Sequence, residues 1–84
     1  MVEIKVYTKE GCPFCIMAIN VFKNYEVEYE EISVDDPVEQ RKLISETGHR
    51  TVPQIFINNE FLGGCDDLLE LKNSGKLDEI LSEK

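Results

Sequence analysis

Across a single tetrapeptide, Cys12-Pro13-Phe14-Cys15, the apolar pattern of this chain changes from the alternation of a strand to the spacing of a helix. Upstream, Val2, Ile4 and Val6 alternate with Glu3, Lys5 and Tyr7, which predicts a strand from Val2 to Thr8. Lys9-Glu10-Gly11 interrupts the alternation. Downstream, Cys15, Ala18, Ile19, Phe22 and Tyr25 recur as one helical stripe. Pro13 suits the first helical position, where its missing N–H costs nothing. The spacing predicts a helix over Pro13–Asn24. A strand that feeds a helix through so short a loop must place both cysteines at the loop–helix junction.

The remaining segments continue this plan. Val27 to Ser33 is β-rich but charged and reads as an edge strand, or as one with a single covered face. Asp36-Pro37 combines a cap with a first-turn proline, and Gly48 suits the position just past a helix end, so a second helix over Pro37–Thr47 is expected. Ile55, Phe56 and Ile57 form a short strand over Gln54–Asn58. Asn58-Asn59 is a tight-turn signal, and Phe61-Leu62 supplies the hairpin partner. Gly63-Gly64 ends it, Asp66 or Asp67 is expected to cap a third helix reaching Asn73, and a short last helix starts at Leu77. The order β-α-β-α-β-β-α, plus that short helix, is an α/β domain with helices on both faces of a mixed sheet.

The chain has 84 residues, read as one domain over 1–84, with 42% apolar and 31% charged residues. A domain of this size buries only about 60% of its unfolded surface or slightly more. The net charge is −8, from 17 acids and 9 bases. Such a field disfavours nucleic acid, whose phosphates need clustered Lys and Arg. The densest acidic run, Glu26 to Asp36, has no base and reads as a solvated strand edge and loop. Glu3 and Lys5 break any signal-like apolar core, and no apolar stretch is long enough to span a membrane, so no membrane association and a cytoplasmic location are expected. Two of the three cysteines share one CxxC and cannot staple distant segments. A reducing compartment, with the CxxC serving redox chemistry or a metal, fits that usage.

The position of the CxxC sharpens it. A helix N-terminus carries unpaired N–H groups and roughly half a positive charge, which stabilises a thiolate on Cys12. Lys9 can add a second positive charge. The thiolate is the attacking species in disulfide exchange. Cys15 lies one turn further on, where residues three apart face each other, within reach of a disulfide. It belongs to the apolar stripe, so it is expected to be the more buried and less acidic thiol. Cys12 is then the exposed nucleophile and Cys15 the resolving thiol. So short a loop gains little stability from closure, which suits a bond that is made and broken.

Two further elements stand out. Pro53, after Thr51-Val52, must begin its strand rather than lie inside it, and an X-Pro bond is the usual route to a cis peptide, though a trans turn proline is the commoner case. Gly63-Gly64-Cys65-Asp66-Asp67 allows close backbone approach just before a helix start, an arrangement that either binds a carboxylate or simply turns the chain.

Together, Tyr7-Thr8-Lys9, Cys12-Pro13-Phe14-Cys15, Thr51-Val52-Pro53 and Gly63-Gly64-Cys65-Asp66-Asp67-Leu68 make the chain resemble the dithiol glutaredoxins, from Lys5 to about Leu81. The compact length is similar to that of the small bacterial members. The resemblance implies a thioredoxin-like fold with a four-stranded mixed sheet. It also implies a glutathione-dependent oxidoreductase that reduces protein disulfides and protein–glutathione mixed disulfides. Glutathione would be a co-substrate, with no tightly bound cofactor and no metal. Its cysteinyl part would lie against Thr51, Val52 and Pro53, with its sulfur at Cys12 and the Phe14 ring alongside. The γ-glutamyl carboxylate would meet the helix start at Gly64, Cys65 and Asp66, and the Asp66 side chain would take the amine. The glycyl carboxylate would approach Lys9 and Gln40, with Arg50 a further partner. Disulfide-bonded or glutathionylated proteins, ribonucleotide reductase among them, are the implied partners of a monomer.

Phe14 departs from the Tyr usual in this motif and removes its hydroxyl. His49, the only histidine, is expected to be an exposed loop residue, and Cys65 a small, partly buried residue beside the site. Two rival readings remain at this level: reduction by a thioredoxin reductase instead of glutathione, and a metal or iron–sulfur module using Cys12 with Cys15 or Cys65. One CxxC and one distant Cys make a poor four-ligand site, and Pro13 departs from the Gly-containing monothiol motif associated with clusters.

Overall fold

The computed structural model describes residues 2–82. Its elements are β1 (Ile4–Thr8), α1 (Pro13–Asn24), β2 (Glu30–Ser33), α2 (Pro37–Thr47), β3 (Gln54–Ile57), β4 (Glu60–Gly63), α3 (Cys65–Ser74) and α4 (Lys76–Leu81). The sheet order is β2-β1-β3-β4. β1 runs parallel to β2 and antiparallel to β3, and β3 pairs antiparallel with β4. This is the expected four-stranded mixed sheet.

Strand alternation sorts the two faces. Ile4 pairs with Ile57 and Val6 with Ile55, and these four pack with Ala18, Ile19, Val21 and Phe22 of α1, Leu68 of α3 and Leu77 of α4. The opposite face carries Tyr7 and Gln54, which pair across strands. α2 covers it, since Tyr7, Ile32 and Leu43 share a hollow there. Gln54 is buried under α2, yet fully engaged: Thr47 Oγ1 donates to its Oε1 at 2.8 Å, and its Nε2 donates to the His49 carbonyl at 2.6 Å. A buried amide left unpaired would be costly, so these bonds fix where α2 ends and where the loop to β3 begins.

Several boundaries differ from the sequence expectation. β1 starts at Ile4, not Val2, because the Glu3 N–H donates to the Asn58 side chain and its carbonyl accepts from the Asn58 N–H, outside the strand ladder. β2 starts at Glu30, not Val27: Glu26 is left-handed at φ 57°, and the Val27 N–H still bonds back to Phe22 of α1. β3 stops at Ile57. Asn58 and Asn59 both have positive φ, 53° and 68°, the signature of a two-residue hairpin turn. The cap of α3 is Gly64, not Asp66 or Asp67. Asp67, one turn in, accepts from the Gly64 N–H at 3.1 Å. The helix runs on to Ser74, and α4 begins at Lys76.

Gly63 is required where β4 hands over to α3. Its φ is +135°, and a Cβ there would lie 2.1 Å from Asp67 Oδ2 and 2.9 Å from Asp67 Cβ. Gly63→Ala should therefore destabilise the protein by about 1–3 kcal/mol through overpacking and loosen the start of α3. Urea unfolding checks the first effect, and amide exchange at residues 64–67 the second.

Candidate active site

α1 begins where the sequence predicts, and its cap is the nucleophile candidate itself. Cys12 has extended backbone angles, and its Sγ accepts from the Cys15 N–H at 3.3 Å. The sulfur thus occupies the place of an ordinary capping oxygen, where the unpaired amides of the first turn favour negative charge. Cys12 is half-buried rather than freely exposed, because Val52 closes over it: the thiol donates to the Val52 carbonyl at 3.7 Å. The Val52–Pro53 bond is cis.

Cys15 is 4% exposed. Burial, followed by the hydrogen bond with Cys12, pushes its thiol up to about 12. Cys65 is buried, at 5% exposure, rather than partly so, and burial also pushes its thiol up. That placement argues against ready oxidation of Cys65, since oxidation follows thiolate character and exposure. All three cysteines are free thiols.

The raised thiols carry a stability prediction. The folded protein holds protons on Cys15 and Cys65 that the unfolded chain releases above its ordinary cysteine value of 9.0. The native state then binds more protons, so stability must fall as pH rises from about 9 towards about 12. The urea midpoint of the reduced protein should drop between pH 8 and pH 10, and Cys15→Ala should flatten that slope.

The loop before α1 is anchored by the segment that follows β2. The Glu10 N–H donates to Asp35 at 2.8 Å, and Asp35 also accepts from the Ser33 hydroxyl. Those two bonds hold the Asp35 carboxyl below its ordinary value.

Two hollows meet on the segment Thr51-Val52. One, of about 400 Å³, is lined by Lys9, Cys12, Gln40, Arg50, Thr51 and Val52. The other, of about 320 Å³, is lined by Phe14, Thr51, Val52, Pro53 and the Gly64-Cys65-Asp66 turn. Every residue that the resemblance assigns to catalysis or to glutathione therefore lies in one hollow or the other, except the buried Cys15. Among the described residues the one ion pair is Lys5–Glu3, so Lys9 and Arg50 keep their charge for the hollow.

His49 is the residue that sequence reasoning misplaced. It is half-buried and lines the second hollow with Asp67. Its ring lies 5.5 Å from that of Phe61, and its Nε2 is 3.2 Å from Thr51 Oγ1. A Cβ on Gly64 would stand 3.1 Å from the same nitrogen. Only the fold brings Phe61 and Gly64 to it, so no local signal could have marked it. Among the described residues no group of His, Cys, Asp or Glu is arranged to hold a metal ion. No helix among them is long and apolar enough to cross a membrane.

Known proteins match this arrangement along nearly the whole chain. The glutaredoxin family model matches residues 4–62. Glutaredoxin 3 of Escherichia coli is 40% identical over 82 residues, covering 96% of this chain and 99% of that one. Glutaredoxin 1 of Rickettsia prowazekii is 44% identical over 84 residues, covering 96% and 88%. The crystal structure of wheat glutaredoxin superposes with a TM-score of 0.87 at 38% identity, covering 94% of this chain and 78% of the wheat chain. The buckwheat glutaredoxin–glutathione complex gives 0.86 at 32%, covering 94% and 76%. With its thioredoxin-like fold and its CxxC at the start of α1, this chain belongs to the glutaredoxin family of thiol–disulfide oxidoreductases.

Proposed function

We propose that this protein reduces protein–glutathione mixed disulfides and protein disulfides, with glutathione as the electron donor. The observation that carries the reading is the meeting of two hollows on Thr51-Val52, one holding Cys12 with the Lys9 and Arg50 side chains and the other ending at the start of α3. Glutathione has an anionic group at each end and a sulfur between them. Lys9, Gln40 and Arg50 suit its glycyl carboxylate. The first-turn N–H groups at Cys65 and Asp66 suit the γ-glutamyl carboxylate, and the Asp66 side chain suits its amine. Thr51, Val52 and Pro53 flank the cysteinyl part, and the exposed Phe14 ring forms the outer wall. On a chain of charge −8, these are the places where an anion is favoured.

The chemistry follows from the two thiols. The Cys12 thiolate attacks the glutathione sulfur of a mixed disulfide, and the protein thiolate leaves. A second glutathione attacks the sulfur now bonded to Cys12, releasing oxidised glutathione and the Cys12 thiolate. For a protein disulfide, Cys12 first bonds to the substrate. Cys15 then displaces that substrate to form Cys12–Cys15, which glutathione reduces. The protein works as a monomer in the reducing cytoplasm, where ribonucleotide reductase is one substrate of the fitting kind.

Coupling to glutathione and glutathione reductase, with a glutathionylated protein as substrate, tests this reading. Turnover saturable in glutathione is the expected result. No turnover there, with brisk reduction by a thioredoxin reductase, overturns it.

A further inference from the structure

In the dithiol route a buried thiol must lose its proton before it can attack. Cys15 is nearly inaccessible, and burial holds its proton on. Once Cys12 is bonded to a substrate, its sulfur no longer carries a thiolate charge beside Cys15. What remains beside Cys15 is a side cleft of about 340 Å³, bordered by Thr8, both cysteines and Glu31, which adjoins the first hollow across residues 9–12. The parallel register sets Glu31 opposite Val6, so its side chain emerges on the sheet face that α1 covers. The buried Thr8 hydroxyl donates to Glu31 Oε2 at 3.0 Å, steering the carboxylate along the wall. The titratable groups on this cleft are Lys9, Glu10, Cys12, Cys15, Lys23 and Glu31. Among them, Glu31 is the carboxylate whose negative charge reaches Cys15, where it adds slightly to the hold on the thiol proton. Lys9 and Lys23 carry no carboxylate, and Glu10, which also lines the first hollow, lies in the loop before α1 with no strand register to set its side chain on the α1 face as that of Glu31 is set.

We infer that Glu31 is the proton acceptor for Cys15 in the second half of protein-disulfide reduction, with Thr8 as its positioning residue. The inference rests on the dithiol reading above. Cys15 passes its proton across the cleft to a Glu31 oxygen, and its sulfur attacks Cys12 Sγ. The Cys12–Cys15 bond forms as the bond from Cys12 to the substrate sulfur breaks. The substrate thiolate departs and takes a proton from water, and Glu31 returns its own to water. Two electrons pass from the dithiol to the substrate. A general base of this kind contributes on the order of a hundredfold or more.

The full chain, reduced and mixed rapidly with 5,5′-dithiobis(2-nitrobenzoate), separates the steps. The first coloured thiolate reports attack by Cys12, and its rate scales with reagent concentration. The second reports attack by Cys15 and is independent of reagent concentration. In Glu31→Gln the second phase should slow at least tenfold relative to the first at pH 7, and should then climb with hydroxide, whereas in the parent it should be flatter with pH. Glu31→Asp, which keeps a carboxylate on the cleft, should recover most of the rate. A second phase in Glu31→Gln slowed less than tenfold, or accelerated, overturns the inference, as does a Glu31→Asp protein no faster than Glu31→Gln. Absence of the second phase in Cys15→Ser is the separate check on the dithiol reading. If that phase persists, the reading itself fails, whatever Glu31 does.

Discussion

Cys12→Ser should reduce turnover of a glutathionylated substrate to the uncatalysed background, a loss of about four orders of magnitude or more, the scale reached when a covalent nucleophile is removed. The reason is specific to the geometry. The sulfur caps α1, accepting from the Cys15 N–H at 3.3 Å, and a thiolate there meets the helix dipole at its positive end. A serine hydroxyl can make the same capping bond, so the fold should survive, but it does not ionise near neutral pH and cannot form the mixed disulfide. Cys15→Ser has the opposite profile. Removal of glutathione from a monothiol target needs only Cys12 and should persist, whereas reduction of a protein disulfide should stall at the mixed-disulfide stage. Glutathione-coupled assays on the two substrates, run side by side, check both. Full activity in Cys12→Ser would sink the mechanism.

Phe22→Ala should have the largest effect on stability, about 3–5 kcal/mol. Phe22 is 0% exposed. It lies between α1 and the sheet, among Val6, Ile55, Leu68 and Leu77, with its ring 6.2 Å from that of Tyr29. Small domains have only about 5–15 kcal/mol in total, so this one truncation removes a large share. Urea unfolding followed by circular dichroism should show a midpoint displaced far towards zero denaturant. Phe14→Ala is the control. That ring is 55% exposed, and its loss should leave stability within about 0.5 kcal/mol while touching the rim of the second hollow.

Local chemistry made much of the scaffold legible. Pro13 and Pro37 mark the first turns of α1 and α2, and both helices occupy the expected residues. Gly48 closes α2 in the left-handed conformation, at φ 73°, a position that favours glycine. The places where sequence misled depend on partners far along the chain. Val2 and Val27 have strand-like neighbours, yet Glu3 is tied to Asn58, 55 positions away, and Val27 is still bonded to the end of α1. Asp67 reads as a cap, but the backbone enters α3 one turn earlier, at Gly64, because Gly63 adopts a φ open chiefly to glycine. Within the site, the CxxC and the two glycine and proline segments announce themselves by composition. His49 and Glu31 do not. One acquires its surroundings from Phe61 and Gly64, the other from Thr8 across a parallel pairing, and neither contact leaves a mark in local spacing.

β2 is an edge of the sheet, with one flank paired to β1 and the other unpaired. A bare flank of this kind is an open template on which further strands can add, and so a starting point for fibrous aggregates. Here the outermost stretch carries Glu28, Glu30 and Glu31, and two copies meeting flank to flank would bring carboxylates within about 5 Å of one another, the spacing between adjacent strands. The mutual repulsion makes polymerisation through this side unfavourable. The acid-rich run that looked merely solvated therefore also disfavours the addition of a further strand on the β2 flank of the sheet.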